Sequence, residues 1–419
     1  MDLLRASDRS AVRLITRPLL GSGGEANVFA VKDRPALAAK IYHRPTPERV
    51  AKLNAMLKNP PEKPAAEPEQ IPIAWPLDLL VKPDSSGQVV GFLMPRVHGA
   101  SAIIDVYHPK TRRKKHPLFN YRYLLRAARN LAACVGALHA RGYVIGDLNE
   151  SNIFVASTAL VSLVDTDSFQ VPDTVTGACH RCAVGKVEFT PPELQGVSFA
   201  WVERKQEHDC FGLGVLVFQL LMEGIHPFAG THFGAGEPPS LGERISAGWF
   251  PYKPGHMFKA LPMPTSPRFA ALNGRVQELF LRCFVAGHNN PAERPAPGEW
   301  QAALLEAENS LTACQRNEQH QYDKSIRGCP WCERAEVFGI DAFPSRVAVG
   351  ARMNAALKRR RLAMPPAGMV SYEDAIAIAS AAAERKKIMR WVTISGALII
   401  GSGLIAYWGY AIQHWILHR

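Results

Sequence analysis

In Ile145-Gly146-Asp147-Leu148-Asn149-Glu150-Ser151-Asn152-Ile153, a carboxylate is followed five residues later by a carboxamide. Thirteen residues beyond Asn152, the short apolar run Leu163-Val164 ends in Asp165-Thr166-Asp167. Moving a phosphoryl group requires a carboxylate that orients a hydroxyl and accepts its proton. It also requires oxygen ligands that hold a divalent cation against a polyphosphate. Asp147 suits the first task, and Asn152 and Asp165 suit the second. An Asp/Asn-rich turn is the ordinary alternative, and it is Asp165 at its distance that favours the chemical reading.

Two upstream features fit the same chemistry. Gly21-Ser22-Gly23-Gly24-Glu25-Ala26-Asn27-Val28 is a glycine-rich loop, in which Gly21, Gly23 and Gly24 let backbone N–H groups approach phosphates, with Val28 behind them. Ala26 stands where a third glycine completes the G-x-G-x-x-G-x-V pattern, so the match is partial. Lys40, in Ala38-Ala39-Lys40-Ile41, is an apolar-flanked strand lysine of the kind that holds α- and β-phosphates. Taken separately, the loop reads as a hairpin turn and the lysine as one that snorkels to water.

A second constellation lies downstream. Cys314, His320, Cys329 and Cys332 form C-x5-H-x8-C-P-W-C, four soft donors suited to a tetrahedral structural Zn²⁺. Such a site would fold a segment too short for a core of its own. Unliganded thiols remain open, as does a Cys-Pro-Trp-Cys redox pair, although no βαβ pattern surrounds it. Cys179-His180-Arg181-Cys182 has knuckle spacing but no second pair nearby.

The elements that must position these residues can be read coarsely. Residues 14–42 form a glycine-rich hairpin and a strand ending in Lys40. Thr46-Pro47-Glu48 caps a helix running to about Leu57, and Val89–Val97 is a strand. From Tyr121 to Ala140 apolar residues recur at helical spacing: Leu124, Leu125, Ala128, Leu131, Val135 and Leu138. Short strands follow around Val144, Ile153–Val155 and Leu163-Val164, with helices again at Asp209–Met222 and Arg275–Phe284. Strands first and helices afterwards predict an α+β molecule of two lobes.

Composition sets the outer limits. An apolar share of 47% with 21% charged residues excludes a disordered chain. The net charge of +12 invites nucleic acid or a membrane surface, but the basic runs Arg112–Lys115 and Lys358–Arg361 belong to no nucleic-acid-binding signature. They are expected in solvated loops and beside a membrane, with no nucleic-acid partner. Eight cysteines in 419 residues are no disulfide scaffold, and Cys134 and Cys283 read as small core residues. Met1–Arg5 opens no apolar signal sequence, so the catalytic part is expected in the cytosol.

From Val392 to Ile412 there is no charge and no proline, a run long enough to cross a hydrocarbon core of about 30 Å. Aromatic residues crowd its ends, and Lys386, Lys387 and Arg390 precede it. The reading is a single-pass inner (cell) membrane helix over 391–413, with residues 1–390 on the cytoplasmic side and a stub of a few residues outside; a buried core helix is the alternative. Ala397 and Gly401 could pack two such helices into a dimer.

Over residues 10–305 the chain resembles the eukaryotic-type (Hanks-type) Ser/Thr protein kinases of bacteria. Besides the motifs above, Pro191-Pro192-Glu193 looks like the A-P-E that closes an activation segment. Arg294 matches the arginine that pairs with that glutamate, and Asp209 the aspartate that starts the central helix of the large lobe. The resemblance implies a two-lobed protein-kinase fold, ATP, Mg²⁺ or Mn²⁺, and a protein Ser/Thr hydroxyl as acceptor. Asp147, Lys40, Asn152 and Asp165 would be catalytic, Asn152 and Asp165 metal-holding, and Met94 near the adenine. With Val164–Phe169, Glu188–Leu194 and the Cys/His knuckle, it is similar to the kinase of the tellurite-resistance-associated (TerY-type) phosphorylation triad. That implies a PP2C-type phosphatase and a von Willebrand A-type protein as partners. The expected order is a kinase domain over 10–305, a zinc module over 306–340, a partly helical juxtamembrane linker over 341–390, and the membrane helix.

The departures from that pattern are specific. H-R-D is Ile145-Gly146-Asp147, without the arginine that reads activation-loop phosphorylation. The lysine expected two residues after the catalytic aspartate is Asn149, and D-F-G is Asp165-Thr166-Asp167. No helix glutamate can be assigned to Lys40, because Glu48 lies near its helix start. Three functions follow: a membrane-anchored signalling Ser/Thr kinase, a pseudokinase or weakly active nucleotide-binding scaffold, and a lipid-surface adaptor.

Overall fold

The computed structural model describes residues 1–62, 72–233, 236–254 and 260–363. The chain divides into one compact unit, Met1–Gly350, and a second, Ala351–Arg419, of which 351–363 are described, as helix. The expected membrane helix over 391–413, the Ala397/Gly401 pair and the helical stretch Asp374–Ala383 lie outside the described residues. Among the described residues no helix is long and apolar enough to cross a membrane.

The first part of Met1–Gly350 is a sheet. Strands β1 (Asp2–Arg5), β2 (Ala11–Ile15), β3 (Gly21–Ser22), β4 (Ala26–Val31) and β5 (Leu37–Tyr42) precede helix α1 (Pro47–Lys58), with β6 (Asp78–Val81) and β7 (Val89–Pro95) after it. The strand order is β2-β1-β6-β7-β5-β4-β3, and β2 also pairs with β4, so the sheet closes on itself. Alternation in β2 buries Val12 and Leu14 and exposes their neighbours, as a half-buried strand requires. These two join Leu3, Phe29, Val31, Ala39, Leu80, Val90 and Leu93 in a small core inside the sheet. Thr46 caps α1 by accepting from Arg49 N (3.4 Å), with Pro47 at the first helical position.

The second part is mainly helical. Short β8 (Ala100–Ala102), α2 (Ile103–Tyr107) and α3 (Pro109–Lys115) lead into α4 (Tyr121–His139), whose six expected apolar positions are all buried. Strands β9 (Ile153–Ala156) and β10 (Val161–Leu163) form a hairpin that carries the catalytic-loop sequence at one end. Strands β11 (Val171–Pro172) and β12 (Cys179–His180) pair next, and α5 (Gln206–Leu221) runs through the interior with α4 and α2 packed on it. One continuous core links α1, α4, α5 and the helix Pro297–Asn309, and Cys134 and Cys283 are fully buried within it.

Two readings need correction. Arg112-Arg113-Lys114-Lys115 is not a solvated loop: it is the end of α3, and Arg112 is 1% exposed. Arg112 lies over the Phe343 ring and pairs with Glu223 (3.5 Å), which in turn accepts from Arg334 (2.5 Å). A buried guanidinium needs that carboxylate, and the spacing of charges along the sequence did not reveal it. The strand expected to end at Lys40 runs on to Tyr42, and that extension matters at the site.

Candidate active site

Lys40 sits in mid-strand on β5, paired with Val28 on one side and Phe92 on the other. The sheet closes tightly there: a Cβ on Gly91 in β7 would lie 2.0 Å from the Lys40 carbonyl oxygen, so only glycine fits. The Lys40 ammonium points inward to Asp165 Oδ1 (2.5 Å) and Asp167 Oδ1 (2.6 Å). Burial alone would lower its pKa, but the charges of Asp167 and Asp165 outweigh that and hold it above the ordinary lysine range.

Asp165 closes the β10 strand in a left-handed conformation (φ 59°), which short Asp side chains tolerate better than most. The tight turn Thr166–Ser168 follows, pinned by the Thr166 hydroxyl donating to Ala74 O (3.0 Å) and by Ser168 donating to Asp165 O (2.8 Å). That turn brings the Asp165 and Asp167 carboxylates to one ammonium.

Asp147 lies on the catalytic loop, half-buried. Asn149 donates to its Oδ1 (2.8 Å) and Asn152 to its Oδ2 (3.3 Å). The Val164 N–H donates to Asn152 O (2.9 Å), which ties this loop to the strand carrying Asp165. Burial pushes the Asp147 carboxyl above its ordinary range. Asn149 is itself buried and spent on internal bonds, since its Oδ1 also accepts from Ser151 N (2.9 Å). Lys186, from the segment after β12, reaches the same loop, donating to Ser151 Oγ (2.6 Å) and Glu150 Oε1 (2.9 Å).

A cavity of about 980 Å³ opens between sheet and helices, and the expected residues share it. Gly21, Gly23, Gly24, Val28, Lys40, Met94, Asp147, Asn152 and Asp165 all line it. Its glycine turn is closed by Gly23 N donating to Ala26 O (3.0 Å), and nothing lies within 4 Å of a Cβ placed on Gly24. Volume, free space at the loop, a lysine and clustered oxygen donors fit a nucleoside triphosphate with a divalent cation.

The I-G-D departure has a steric cause. Gly146 has φ 72°, and a Cβ there would lie 2.9 Å from Cys182 and from the Arg204 guanidinium. Arg204 is buried, stacks over Phe199 (4.0 Å), and donates to the carbonyls of both Gly146 and Val184. An arginine thus does approach the catalytic loop, but from another segment. Asp209 accepts from Ile145 N (2.7 Å), Gly146 N (2.8 Å) and His139 Nε2 (2.9 Å). Arg294 meets Glu193 with two bonds (2.6 and 2.7 Å).

The four downstream donors also converge. The ligand atoms of Cys314, His320, Cys329 and Cys332 all lie within 4.8 Å of one another. His320 Nδ1 faces Cys329 Sγ (3.5 Å) and Cys332 Sγ (3.3 Å), while its Nε2 is held by Asp341 (2.8 Å). Burial raises the Cys314 thiol, but the N–H groups of Arg316 and Asn317 bring its pKa down to about 7. An oriented imidazole and a thiol ready to ionise fit a tetrahedral Zn²⁺.

Sequence reasoning missed Asp167, Tyr42, Lys186, Arg204 and Gly91. Asp167 had a visible signal, an acid where D-F-G has glycine. The others lie on ordinary strand or loop sequence.

No protein-family model matches the chain. It is 34% identical over 323 residues to "Protein kinase YegI" of Escherichia coli O157:H7, and 33% identical over the same length to the protein of that name in E. coli strain K12. Those matches cover 75% of this chain but 48% and 47% of the relatives, so the chain spans about half the length of the curated relatives it matches. Among solved structures, a ROP18 kinase domain in complex with AMP-PNP and sucrose is 18% identical, with a TM-score of 0.47 over 74% of this chain and 83% of that one. ROP2 from Toxoplasma gondii, described as having a protein-kinase fold and no enzymatic activity, is 14% identical, with a TM-score of 0.48 over 74% and 84%. The curated relatives support a protein kinase.

Proposed function

We propose that this chain is an ATP-dependent protein kinase that transfers the γ-phosphoryl group to a Ser or Thr hydroxyl of a protein. The observation that carries the reading is the meeting of Lys40, Asp147, Asn152 and Asp165, far apart in sequence, on one cavity with the glycine loop. Lys40 would hold the α- and β-phosphates, and the loop Gly21–Gly24 would offer N–H groups to them. Asp147 would orient the acceptor hydroxyl and take its proton as the oxygen attacks the γ-phosphorus and ADP leaves. Asn152 and Asp165 would hold Mg²⁺ or Mn²⁺, which neutralises charge on the β- and γ-oxygens. Met94, on the β7 wall, would face the adenine.

Support for the finer features differs in kind. The Ser/Thr acceptor and the PP2C-type and von Willebrand A-type partners rest on the resemblance of motifs. A Zn²⁺ on Cys314, His320, Cys329 and Cys332 rests on converging donors. The inner-membrane anchor, the cytoplasmic placement, a role in signalling and a helix-paired dimer rest on the sequence of 386–419 and its apolar run.

The test is ³²P transfer from γ-labelled ATP by the full chain, in detergent, with wild type, Asp147→Ala and Asp165→Ala compared. Each substitution should reduce incorporation by well over about tenfold while the melting temperature holds. Equal incorporation in all three refutes the reading. A nucleotide-binding scaffold is the second reading, favoured by Asn149 standing where a lysine is expected. ATP binding without transfer, even with the partner proteins added, would establish it.

A further inference from the structure

In protein kinases the phosphate-holding lysine is positioned by a glutamate on the helix that packs beside it. Helix α1 offers no such partner here. Glu48, its only acid, is exposed in the first turn, with its carboxylate turned back to Thr46 and its own backbone. One turn further along, the side chain that α1 brings to Lys40 is another cation, Lys52. Lys52 lines a cavity of about 290 Å³ with Lys40, Asp165 and Asp167, and it responds to the charge of all three.

The carboxylate comes from the other side. Asp167 Oδ1 accepts from Lys40 (2.6 Å) while its Oδ2 accepts from the Tyr42 hydroxyl (2.8 Å). Lys40 and Tyr42 are two apart on β5, so both side chains leave the same face, and Asp167 is clipped to that face at two points. Its side chain is 8% exposed, against 40% for Asp165, which leaves Asp165 the one open to the nucleotide cavity. The glycine of D-F-G is thereby replaced by a residue with a task.

We propose that Asp167 is the positioning residue for Lys40, in place of a helix carboxylate, and that it leaves Asp165 to the metal. The proposal rests on the kinase reading of the cleft. It makes the placement of Lys40 a property of β5 and the Asp165–Asp167 turn, independent of where α1 stands.

The experiment measures ATP affinity and kcat/KM in the full chain for four proteins: wild type, Asp167→Asn, Glu48→Gln, and Asp167→Asn combined with Lys52→Glu. Asn is isosteric and keeps the Tyr42 bond, so Asp167→Asn removes the charge and little else. It should weaken both quantities by about tenfold or more at every Mg²⁺ concentration, with Glu48→Gln within about twofold of wild type. Moving the acid onto the helix in the double variant should restore much of the loss, which a purely structural role for Asp167 would not allow.

The proposal is overturned if Asp167→Asn matches wild type, if Glu48→Gln loses as much, or if the double variant recovers nothing. It is also overturned if raised Mg²⁺ erases the loss, since Asp167 is then a metal ligand. A wild-type chain that binds ATP without transferring phosphate defeats the kinase reading, while the affinity ratios still decide the role of Asp167. A chain that binds no ATP defeats both.

Discussion

Asp147 is surrounded by groups that pull its proton affinity in opposite directions. Burial raises its pKa most and the Asp165 charge adds to that, while the Asn149 hydrogen bond and the charges of Arg204 and Lys186 oppose them. The net shift is upward. A base must be ionised to accept a proton, so phosphotransfer should fall as pH drops through the raised pKa. The acid limb of kcat/KM should therefore lie above the ordinary carboxylate value near about 4. Asn149→Ala removes a bond that favours the ionised form and should move that limb to higher pH. A limb unchanged in Asn149→Ala would mean that Asp147 is not the group being titrated.

The elements around the catalytic loop are joined by a charge that requires no modification. Arg204 ties Gly146, one residue before Asp147, to Val184 in the segment between β12 and Glu193, and Gly146 has no Cβ to obstruct it. Lys186 adds a second tie through Ser151 and Glu150. Phosphatase treatment of the wild-type chain should thus leave its activity unchanged. Arg204→Ala removes the donor shared by the Gly146 and Val184 carbonyls and should loosen residues 179–189. Faster backbone hydrogen exchange over that stretch, with activity down by about tenfold, is the expected result; unaltered exchange would show that the stretch is held by other contacts.

At the scale of the molecule, distant segments are locked by buried charge and by the Cys/His segment. Arg294 is fully buried while its partner Glu193 stays partly exposed, so Arg294→Ala should cost about 1.5–3 kcal/mol, read as a lowered denaturant midpoint. Trp331, within Cys-Pro-Trp-Cys, and Phe343 pack on each other (4.9 Å) and on Tyr121 of α4 (5.0 and 6.4 Å), in the same core as that helix. If Zn²⁺ occupies that site, a strong chelator or Cys332→Ser should lower the melting temperature of the whole unit Met1–Gly350 rather than melt a separate module. Metal analysis of the purified chain gives the stoichiometry directly.

The sequence by itself determined which segments were candidates for the site, all of which line one cavity, and what kind of element each would be. Asp147, Asn152, Asp165, Lys40 and the glycine loop were legible because loop spacing, strand ends and backbone freedom are local requirements written at short range. The helices α1, α4 and α5 were legible for the same reason, through capping and apolar period. Only the tertiary structure decided which charge faces which. Lys40 and Asp167 are 127 residues apart, and no periodicity links them. In sequence Gly146 reads as a lost arginine, but in the fold Arg204 fills the space beside it; Arg112 reads as solvated, but it is buried against Glu223. Pairings of this kind depend on burial, which makes an unpartnered charge costly, and burial is settled only when the chain has closed on itself.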